Sequence, residues 1–264
     1  MISSDQAQAT IRLGFLEHLA AHPPRIMLVG IWPIAIAQSL FYTMLGRVTG
    51  GPGGGEFAFT GSVAMVLTLS TIGGLGYLPG EDKAAGTFHR LQQSDVSPAT
   101  IFALRSLPWL GQAMIAVLLC LAVTGPLTGH AATSLALLPL LPLLLLMAAS
   151  SAAAGLAVAS TSLGRRAEVL ANNGFQYLLI VAGGMVVPAG RAPVLDAIGS
   201  MLPLRHGVLA IRAYLDPGTA QAAGGWVAQA GLEAIVGIGW AAVAAGLYRW
   251  QGHRARVHAT GDFV

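Results

Sequence analysis

Charged residues are scarce in this chain. Asp, Glu, Lys and Arg make up 9% of its 264 residues, whereas 55% are hydrophobic. Soluble domains carry about 25% charged residues, so a water-soluble fold of this composition would leave too much apolar surface in contact with water. The composition therefore indicates an integral membrane protein. Its 34 glycines fit this class, because small residues let membrane helices approach closely.

Lysine and cysteine occur once each, as Lys83 and Cys120. A single cysteine excludes a disulfide within the chain. Because Lys83 follows Asp82 and not glycine, the sequence contains no P-loop for ATP, which needs a Gly-Lys-Ser/Thr run. We therefore expect no ATP hydrolysis by this chain alone and no cofactor of its own. If the protein depends on ATP, the ATP and Mg²⁺ must be bound by a partner subunit.

Signatures of soluble enzymes are also missing from the sequence. The seven histidines are dispersed, without a His-Glu-x-x-His zinc motif, and there is no Gly-x-Ser-x-Gly nucleophile elbow. The net charge is only +3, and no basic stripe with interleaved aromatic residues is present, so nucleic acid is not an expected partner. We predict neither a catalytic residue nor a metal site.

Six apolar stretches approach the length of about 20 residues that crosses a membrane as a helix. They predict an all-α integral membrane protein, with residues 1–25 ahead of a six-helix domain (26–248) and a tail (249–264) behind it. The predicted spans cover residues 26–46, 57–78, 106–125, 134–160, 172–188 and 226–248.

The distribution of basic residues predicts the orientation, since Lys and Arg are enriched in cytoplasmic loops. With the N-terminus inside, ten fall in inner segments: Arg12, Arg25, Lys83, Arg90, Arg105, Arg165, Arg166, Arg249, Arg254 and Arg256. Four fall in outer segments: Arg47, Arg191, Arg205 and Arg212. We therefore expect a multi-pass protein of the cell membrane with both termini in the cytoplasm.

Two further segments are predicted to lie at the membrane surfaces. Near the N-terminus, Ile11, Phe15 and Leu19 recur at helical spacing, which is typical of an amphipathic helix on the inner surface. After the fifth span, prolines delimit two apolar stretches, Val194–Leu202 and Leu204–Leu215, that are too short to cross. We expect them to form a re-entrant helical hairpin on the outer side, before the last span.

The inner loop between the second and third spans, residues 79–105, is long and charged. Glu81 near its start suits the positive end of a helix, and we predict a helix over Glu81–Gln93. The Ser97-Pro98 pair then begins another helix, because Pro is tolerated in a first helical turn. The loop is therefore predicted to be structured.

Polar side chains inside the spans are costly in lipid and are often functional. Two spans carry such residues four positions apart, with aromatic residues beside them. We predict a substrate path lined by Gln38, Phe41 and Tyr42 on the first span and by Asn172, Phe175, Gln176 and Tyr177 on the fifth. The alternative interpretation is that the polar groups hydrogen-bond between helices.

Glu233 lies about two turns inside the sixth span. An acidic residue at this depth fits a proton or cation relay. The alternative is a structural ion pair with an outer arginine, for which Arg212 is the candidate.

The inner loop, EDKAAGTFHRLQQSDVSPATIFALRSLP, resembles the loop between the second and third spans of ABC-2 type transporter permeases. The matching residues are Glu81, Lys83, Gly86, Thr87, Phe88, Leu91, Ser94, Val96, Ser97 and Pro98. His89 and Asp95 depart from the pattern, which usually has Glu and Pro there. The segment from Leu202 to Arg212 is similar to the stretch that precedes the last span of these permeases.

The resemblance implies the ABC-2 (type V exporter) fold, as a homodimer of six-helix subunits docked onto two separate ATPase subunits. Family members export drugs, antibiotics, lipids or polysaccharides. Substrate would pass between the two subunits. The residues implied to contact the ATPase are Glu81, Asp82, Lys83, Gly86, Thr87, Phe88, Arg90, Leu91, Arg165 and Arg166.

The sequence thus predicts the permease subunit of an ATP-binding cassette exporter of the drug or antibiotic efflux type, associated with antibiotic resistance. Its cargo would be a small hydrophobic or amphipathic molecule, such as a drug, an antibiotic, a peptide or a lipid-like compound. Membrane lipids, a second copy and the ATPase are the expected partners. The alternative is an ATP-independent secondary carrier or a membrane regulatory protein.

Overall fold

The computed structural model describes residues 3–87, 91, 96–162, 168–218 and 224–258, and these residues form helices and turns without any strand. Short π-helical (Met27–Ile31) and 3-10 (Leu138–Leu140) turns interrupt the helices. In chain order the helices are α1 (Ser4–Ala21), α2 (Pro24–Ile26), α3 (Trp32–Leu75), α4 (Leu78–Ala84), α5 (Pro98–Arg105), α6 (Leu107–Thr128), α7 (Ala131–Leu137), α8 (Leu141–Ser162), α9 (Glu168–Ala182), α10 (Pro193–Gly199), α11 (Arg205–Leu215) and α12 (Gly225–His258).

Four helical runs in the described part are long and apolar enough to cross a membrane. They are Pro24–Lys83, Pro98–Thr128, Ala131–Thr161 and Gly225–Arg254. The predicted fifth span corresponds to a shorter apolar helix, Val169–Ala182. The predicted first and second spans lie together in the first run, whose 60 residues are about three times the length that one crossing needs.

This first run folds back on itself at Gly51. Gly51 has φ +66° and ψ −156°, a conformation that L-residues with a side chain avoid. On either side of it, the Ser39 and Ser62 hydroxyls lie 2.7 Å apart. In a straight helix, 23 residues would separate them by about 35 Å. Helix α3 is therefore a hairpin of two antiparallel arms, before and after Gly51.

The second arm of α3 lies at the centre of the bundle. Its residues Phe59, Val63 and Leu67 are fully buried, and α6 and α8 pack against this arm. Polar side chains in this core bond to each other across helices. The hydroxyls of Thr71 on α3 and Ser151 on α8 lie 2.8 Å apart. An arm surrounded by helices explains why its sequence is apolar on all sides.

Glu233 caps a helix and does not pair with an arginine. Its carboxylate accepts the backbone N–H of Leu204 at 2.8 Å and that of Gly207 at 3.0 Å, at the start of α11. The ion pair with Arg212, one of the alternatives for Glu233, is not formed, because Arg212 donates instead to the Gly184 carbonyl at 2.8 Å. The free N–H groups of a helix start attract a carboxylate, so Glu233 ties α11 to α12.

The closeness of the two arms of α3 leads to a stability prediction. A methyl group added at Gly46 would overlap the Gly54 carbonyl and the Ala58 side chain, whereas one added at Gly50 would meet no atom within 4 Å. We expect Gly46→Ala to destabilise the protein by about 1–3 kcal/mol through overpacking. Gly50→Ala should leave stability unchanged or raise it, since Ala is the better helix former. Thermal unfolding in detergent, followed by size-exclusion chromatography, measures both, and equal melting temperatures would contradict the hairpin.

Candidate functional site

A buried arginine joins three segments at one end of the bundle, the end that carries α1, α4 and α5 (the α1 end). The Arg105 guanidinium donates two hydrogen bonds to Asp82 of α4, at 2.5 and 3.2 Å, and one from Nε to Glu17 of α1, at 2.9 Å. Arg105 is the last residue of α5, directly before α6. These three side chains form the Arg105 cluster, which links α1, α4 and the α5–α6 junction.

Local sequence explains how α1 reaches this cluster. Ser3 and Gln6 form a capping box, each side chain bonding the other's backbone N–H, so the helix has a defined start. Gly14 lies against the Arg105 backbone, where an added Cβ would be 2.9 Å from the Arg105 Cα. Apolar residues such as Phe15 stay exposed on α1. A helix with one side docked and apolar residues exposed on another suits a membrane surface.

Helix α4 corrects the prediction of a continuous helix over Glu81–Gln93. It begins earlier, at Leu78, and ends at Ala84. Gly86 then adopts φ +68°, which breaks the helix. The Thr87 N–H turns back to the Asp82 carbonyl at 2.9 Å. The turn after α4 is therefore closed by the residue that binds Arg105.

The predicted ATPase-contacting residues separate into two groups. Glu81, Asp82, Lys83, Gly86 and Thr87 lie on α4 or its closing turn, and Leu91 packs against a small apolar cluster beside Phe102 and Tyr248. Outside the described residues lie Phe88, Arg90, Arg165 and Arg166, as well as His89 and Asp95, the two departures from the loop pattern.

Two histidines of the α1 end pack on one tryptophan. The rings of His18 and His22 lie edge-on to Trp109 of α6, with centroids 4.5 and 5.1 Å away. Burial, with a contribution from neighbouring His22, lowers the pKa of His18. Burial at this place therefore favours the neutral form of the His18 ring.

A cavity of about 390 Å³ opens beside these rings, and we term it the Trp109 cavity. It lies between the two arms of α3, the start of α6, and α4. Six of its lining residues are Ile31, Ile34, Gln38, Glu81, Trp109 and Gln112. Gln38, predicted for the substrate path, and Glu81, predicted for ATPase contact, thus line one space.

The other aromatic residues of the predicted path are dispersed. Tyr42 lines a different cavity, of about 340 Å³, with Met185 near the Gly51 end of the bundle. Phe41 and Tyr177 point outward, 62% and 67% exposed. The structure brings Phe41 and Tyr42 into ring contact at 5.3 Å, but neither lines the cavity that Gln38 lines.

The residues predicted on the fifth span are mostly internal. Asn172 is buried against Gly76, and within the described chain its amide has no hydrogen-bond partner. Gln176 is also buried, while the Phe175 ring contacts that of Trp240 at 5.5 Å. These side chains contact neighbouring helices of the same chain, at a place distinct from the Trp109 cavity.

Sequence reasoning missed the most connected residues of the site. Arg105 counted only as a topology signal, and Glu17 was assigned no functional role. The two lie 88 positions apart, so no spacing rule joins them. A weak signal did exist, since Arg105 is a charged residue that directly precedes a long apolar run and needs a partner if buried.

Comparison with known proteins identifies the family. The family model described as ABC-2 type transporter matches residues 24–215, most of the chain. The chain belongs to the ABC-2 type transporter family. The matched stretch includes Asp82 and Arg105 but not Glu17, which lies ahead of it. No curated protein and no solved structure matches the chain.

Membership of the ABC-2 family assigns the chain a general role. It is the membrane-spanning permease component of an ABC transporter, a component that lacks a nucleotide-binding site. The family implies partnership with an ABC ATPase subunit. Apolar helices and family membership agree on a multi-pass membrane protein.

The Arg105 cluster leads to a prediction about stability. Arg105 is 5% exposed, so Arg105→Gln leaves the buried Asp82 carboxylate uncompensated and should cost about 3–5 kcal/mol. Adding Asp82→Asn should restore part of that loss, because the unpaired charge is then gone. A double-mutant cycle on melting temperature in detergent measures this coupling.

Arg47→Gln is the matched control, since Arg47 is exposed near the Gly51 end. It should change the melting temperature little. Additive losses in the Arg105 and Asp82 variants would show that the two side chains do not interact.

Proposed function

We propose that the chain is the permease subunit of an ABC exporter that moves a hydrophobic or amphipathic molecule out of the cell. The cargo would be a drug, an antibiotic, a peptide or a lipid-like compound. A separate subunit would bind and hydrolyse the ATP. Two permease copies and two ATPase subunits would form the complex in the cell membrane.

The observation that carries this proposal is the Arg105 cluster. Helix α4 follows the second arm of α3 after two residues, and α5 leads directly into α6. Asp82 on α4 and Arg105 at the α5–α6 junction are locked together, and Glu17 adds α1. A force applied by the ATPase at this end would act on α3 and α6 at once, which is what coupling to a separate ATPase subunit requires.

The proposed topology places the α1 end in the cytoplasm. The two arms of α3, then α5–α6, α7–α8, α9 and α12 would make six crossings, with both termini on the cytoplasmic side. Helices α10 and α11 would form the re-entrant outer hairpin, held to α12 by Glu233. The excess of Lys and Arg at the α1 end supports this orientation.

The first arm of α3 supports a homodimer. Its large apolar residues Ile34, Phe41 and Val48, and Val29 in the turn before it, are each at least 60% exposed. Exposed Tyr177 of α9 extends the apolar surface available to a second copy or to lipid. We propose that Phe41, Tyr42 and Tyr177 face the passage between subunits.

The alternative, an ATP-independent carrier, would use charged groups in the membrane as relays. Glu233 was the candidate for that role, and its carboxylate is instead bonded to two N–H groups of α11. A carboxylate used to hold a helix start is poorly suited to shuttle protons. The geometry therefore favours the motor-driven permease.

Uncoupling by Glu17→Gln tests the proposal in the assembled complex. Glu17 is 40% exposed, so its loss should alter folding little. It should weaken the hold of α1 on Arg105, and a coupling free energy of about 1 kcal/mol corresponds to a roughly fivefold change. We expect roughly fivefold less export per ATP hydrolysed, measured in proteoliposomes with a substrate that stimulates the ATPase.

Asp5→Asn is the matched control, an exposed carboxylate on the same helix. It should leave export and ATPase activity unchanged. If Glu17→Gln and Asp5→Asn behave alike, α1 does not take part in coupling. Failure to isolate any complex with a P-loop subunit would refute the proposed function itself.

A further inference from the structure

The Trp109 cavity has the shape and the graded polarity of a ligand site. Its volume of about 390 Å³ falls within the usual range of small-molecule pockets, about 300–1,000 Å³. Ile31, Ile34 and Leu69 form an apolar wall, and Gln38 lies seven residues beyond Ile31, about 10 Å along the helix. Glu81 stands on α4, at the opposite end from Gln38. The cavity thus has an apolar wall and an acidic end.

The acidic end borders a second space that shares Glu81, the Arg105 recess, of about 230 Å³. Three carboxylates line the two spaces: Glu17, Glu81 and Asp82. Arg105 supplies the one guanidinium, so these four groups sum to −2, and Lys83 lines neither space. The charge therefore favours a cation in this region.

Buried polar atoms also point to a ligand. Gln112 is 4% exposed and lines the cavity, and its Oε1 makes no hydrogen bond of normal geometry to the described chain, although its side chain interacts with that of His18. Nδ1 of His22, on the same cavity, is likewise without a partner among the described residues. Buried polar atoms are normally satisfied, so a bound molecule with N–H groups would complete both. The Trp109 ring also lines the cavity, and indole rings attract cations.

We propose that the Trp109 cavity binds an amphipathic amine, with its ammonium group between Glu81 and Trp109 and its apolar body against Ile34. The proposal names the class of substrate for the export function and rests on that function for its physiological meaning. The binding itself does not depend on the motor.

The same geometry connects the bound amine to the coupling apparatus. Glu81 and Asp82 are adjacent on α4, and Asp82 is held by Arg105. An ammonium group at Glu81 would neutralise one charge beside that ion pair and would also fix the position of α4. Occupancy of the cavity would thus be sensed at the segment that contacts the ATPase.

Binding to the purified permease without its ATPase tests the proposal. The probe is dansylcadaverine, which carries an ammonium group on an apolar fluorescent body, and its N-acetyl derivative is the neutral control. In a neutral maltoside detergent, with signals from empty micelles subtracted, we expect the amine to bind at least about tenfold more tightly, as loss of a charge-assisted contact implies. Equal affinity for the two probes would overturn the proposal.

Two substitutions locate the site. Glu81→Gln should weaken amine binding about tenfold and leave the acetylated probe unaffected. The control is Glu56→Gln, an exposed carboxylate that bonds Thr133 near the Gly51 end, and it should bind the amine like the native protein. Identical affinities in the Glu81 and Glu56 variants would overturn the assignment.

A cavity-filling variant keeps the test independent of charge. A Cβ added at Gly73, which lines the cavity, meets no atom within 4 Å, so Gly73→Leu should fold and occupy the space. It should abolish binding of both probes. Gly111→Leu, equally unobstructed but on the exposed side of α6, should not. Retained binding in Gly73→Leu would place the amine elsewhere.

Three further outcomes distinguish this proposal from its alternatives. If phosphatidylethanolamine displaces the amine probe at the same concentration as a soluble amine does, the cavity is a lipid site and the proposal is overturned. Amine binding without stimulation of the ATPase in the complex would refute export of this class while leaving the binding site intact. Absence of amine binding, with Glu17→Gln still uncoupling export, would refute the site and leave the permease function standing.

Discussion

The fold of the α1 end depends on one buried charge. Arg105 lies directly before the apolar helix α6 and is almost fully excluded from solvent. An isolated guanidinium there would be prohibitively costly, so it must be paired and hydrogen-bonded. Its partners come from two distant segments, Asp82 on α4 and Glu17 on α1. Satisfying that one charge therefore fixes three segments against each other.

Two long helices of the bundle, α3 and α6, lead to this cluster. The second arm of α3 is the centre of the bundle and leads into α4, while α6 packs along it. The two helices that converge on the Arg105 cluster are thus in mutual contact over their length. Movement imposed at α4 would be transmitted as a rigid displacement because packed cores deform little. The Trp109 cavity lies between these same elements, so it shares its walls with α4, the segment proposed to couple to the ATPase.

The sequence predicted the class of protein well because composition and hydrophobic length are local properties. The helices, the short pair α10 and α11, and the motif from Glu81 to Pro98 could all be recognised in this way. Contacts between elements that are distant in the sequence could not be recognised in this way. The fold-back at Gly51 looked like an ordinary loop between spans, and Gly86 matched the motif without showing that it ends a helix. Glu233 found backbone N–H groups as partners, which no pattern of charged residues records.

The sequence predicted only some of the residues of the candidate site. Asp82 and Glu81 came from the loop motif, whereas Glu17 and Trp109 required knowledge of which elements meet in space. Gln38 was chosen for the right chemical reason, a polar amide in a span, but its neighbours Phe41 and Tyr42 point to other surroundings. A helix face predicted from spacing four residues apart says which side chains align, not what they contact.

If the chain works as proposed, α1, α4 and the α5–α6 junction move as one body when the partner ATPase binds and hydrolyses ATP. Pulsed electron spin resonance on the complex, with Cys120 replaced by Ala and labelled permease diluted with unlabelled copies, measures this directly. Labels at exposed Gln8 and Ala85 report the distance between α1 and α4, and labels at Gln8 and Arg47 report the distance to the Gly51 end. Movement as one body predicts that the first distance is the same in the nucleotide-free and ATP-bound states while the second changes. A first distance that shifts as much as the second would contradict it.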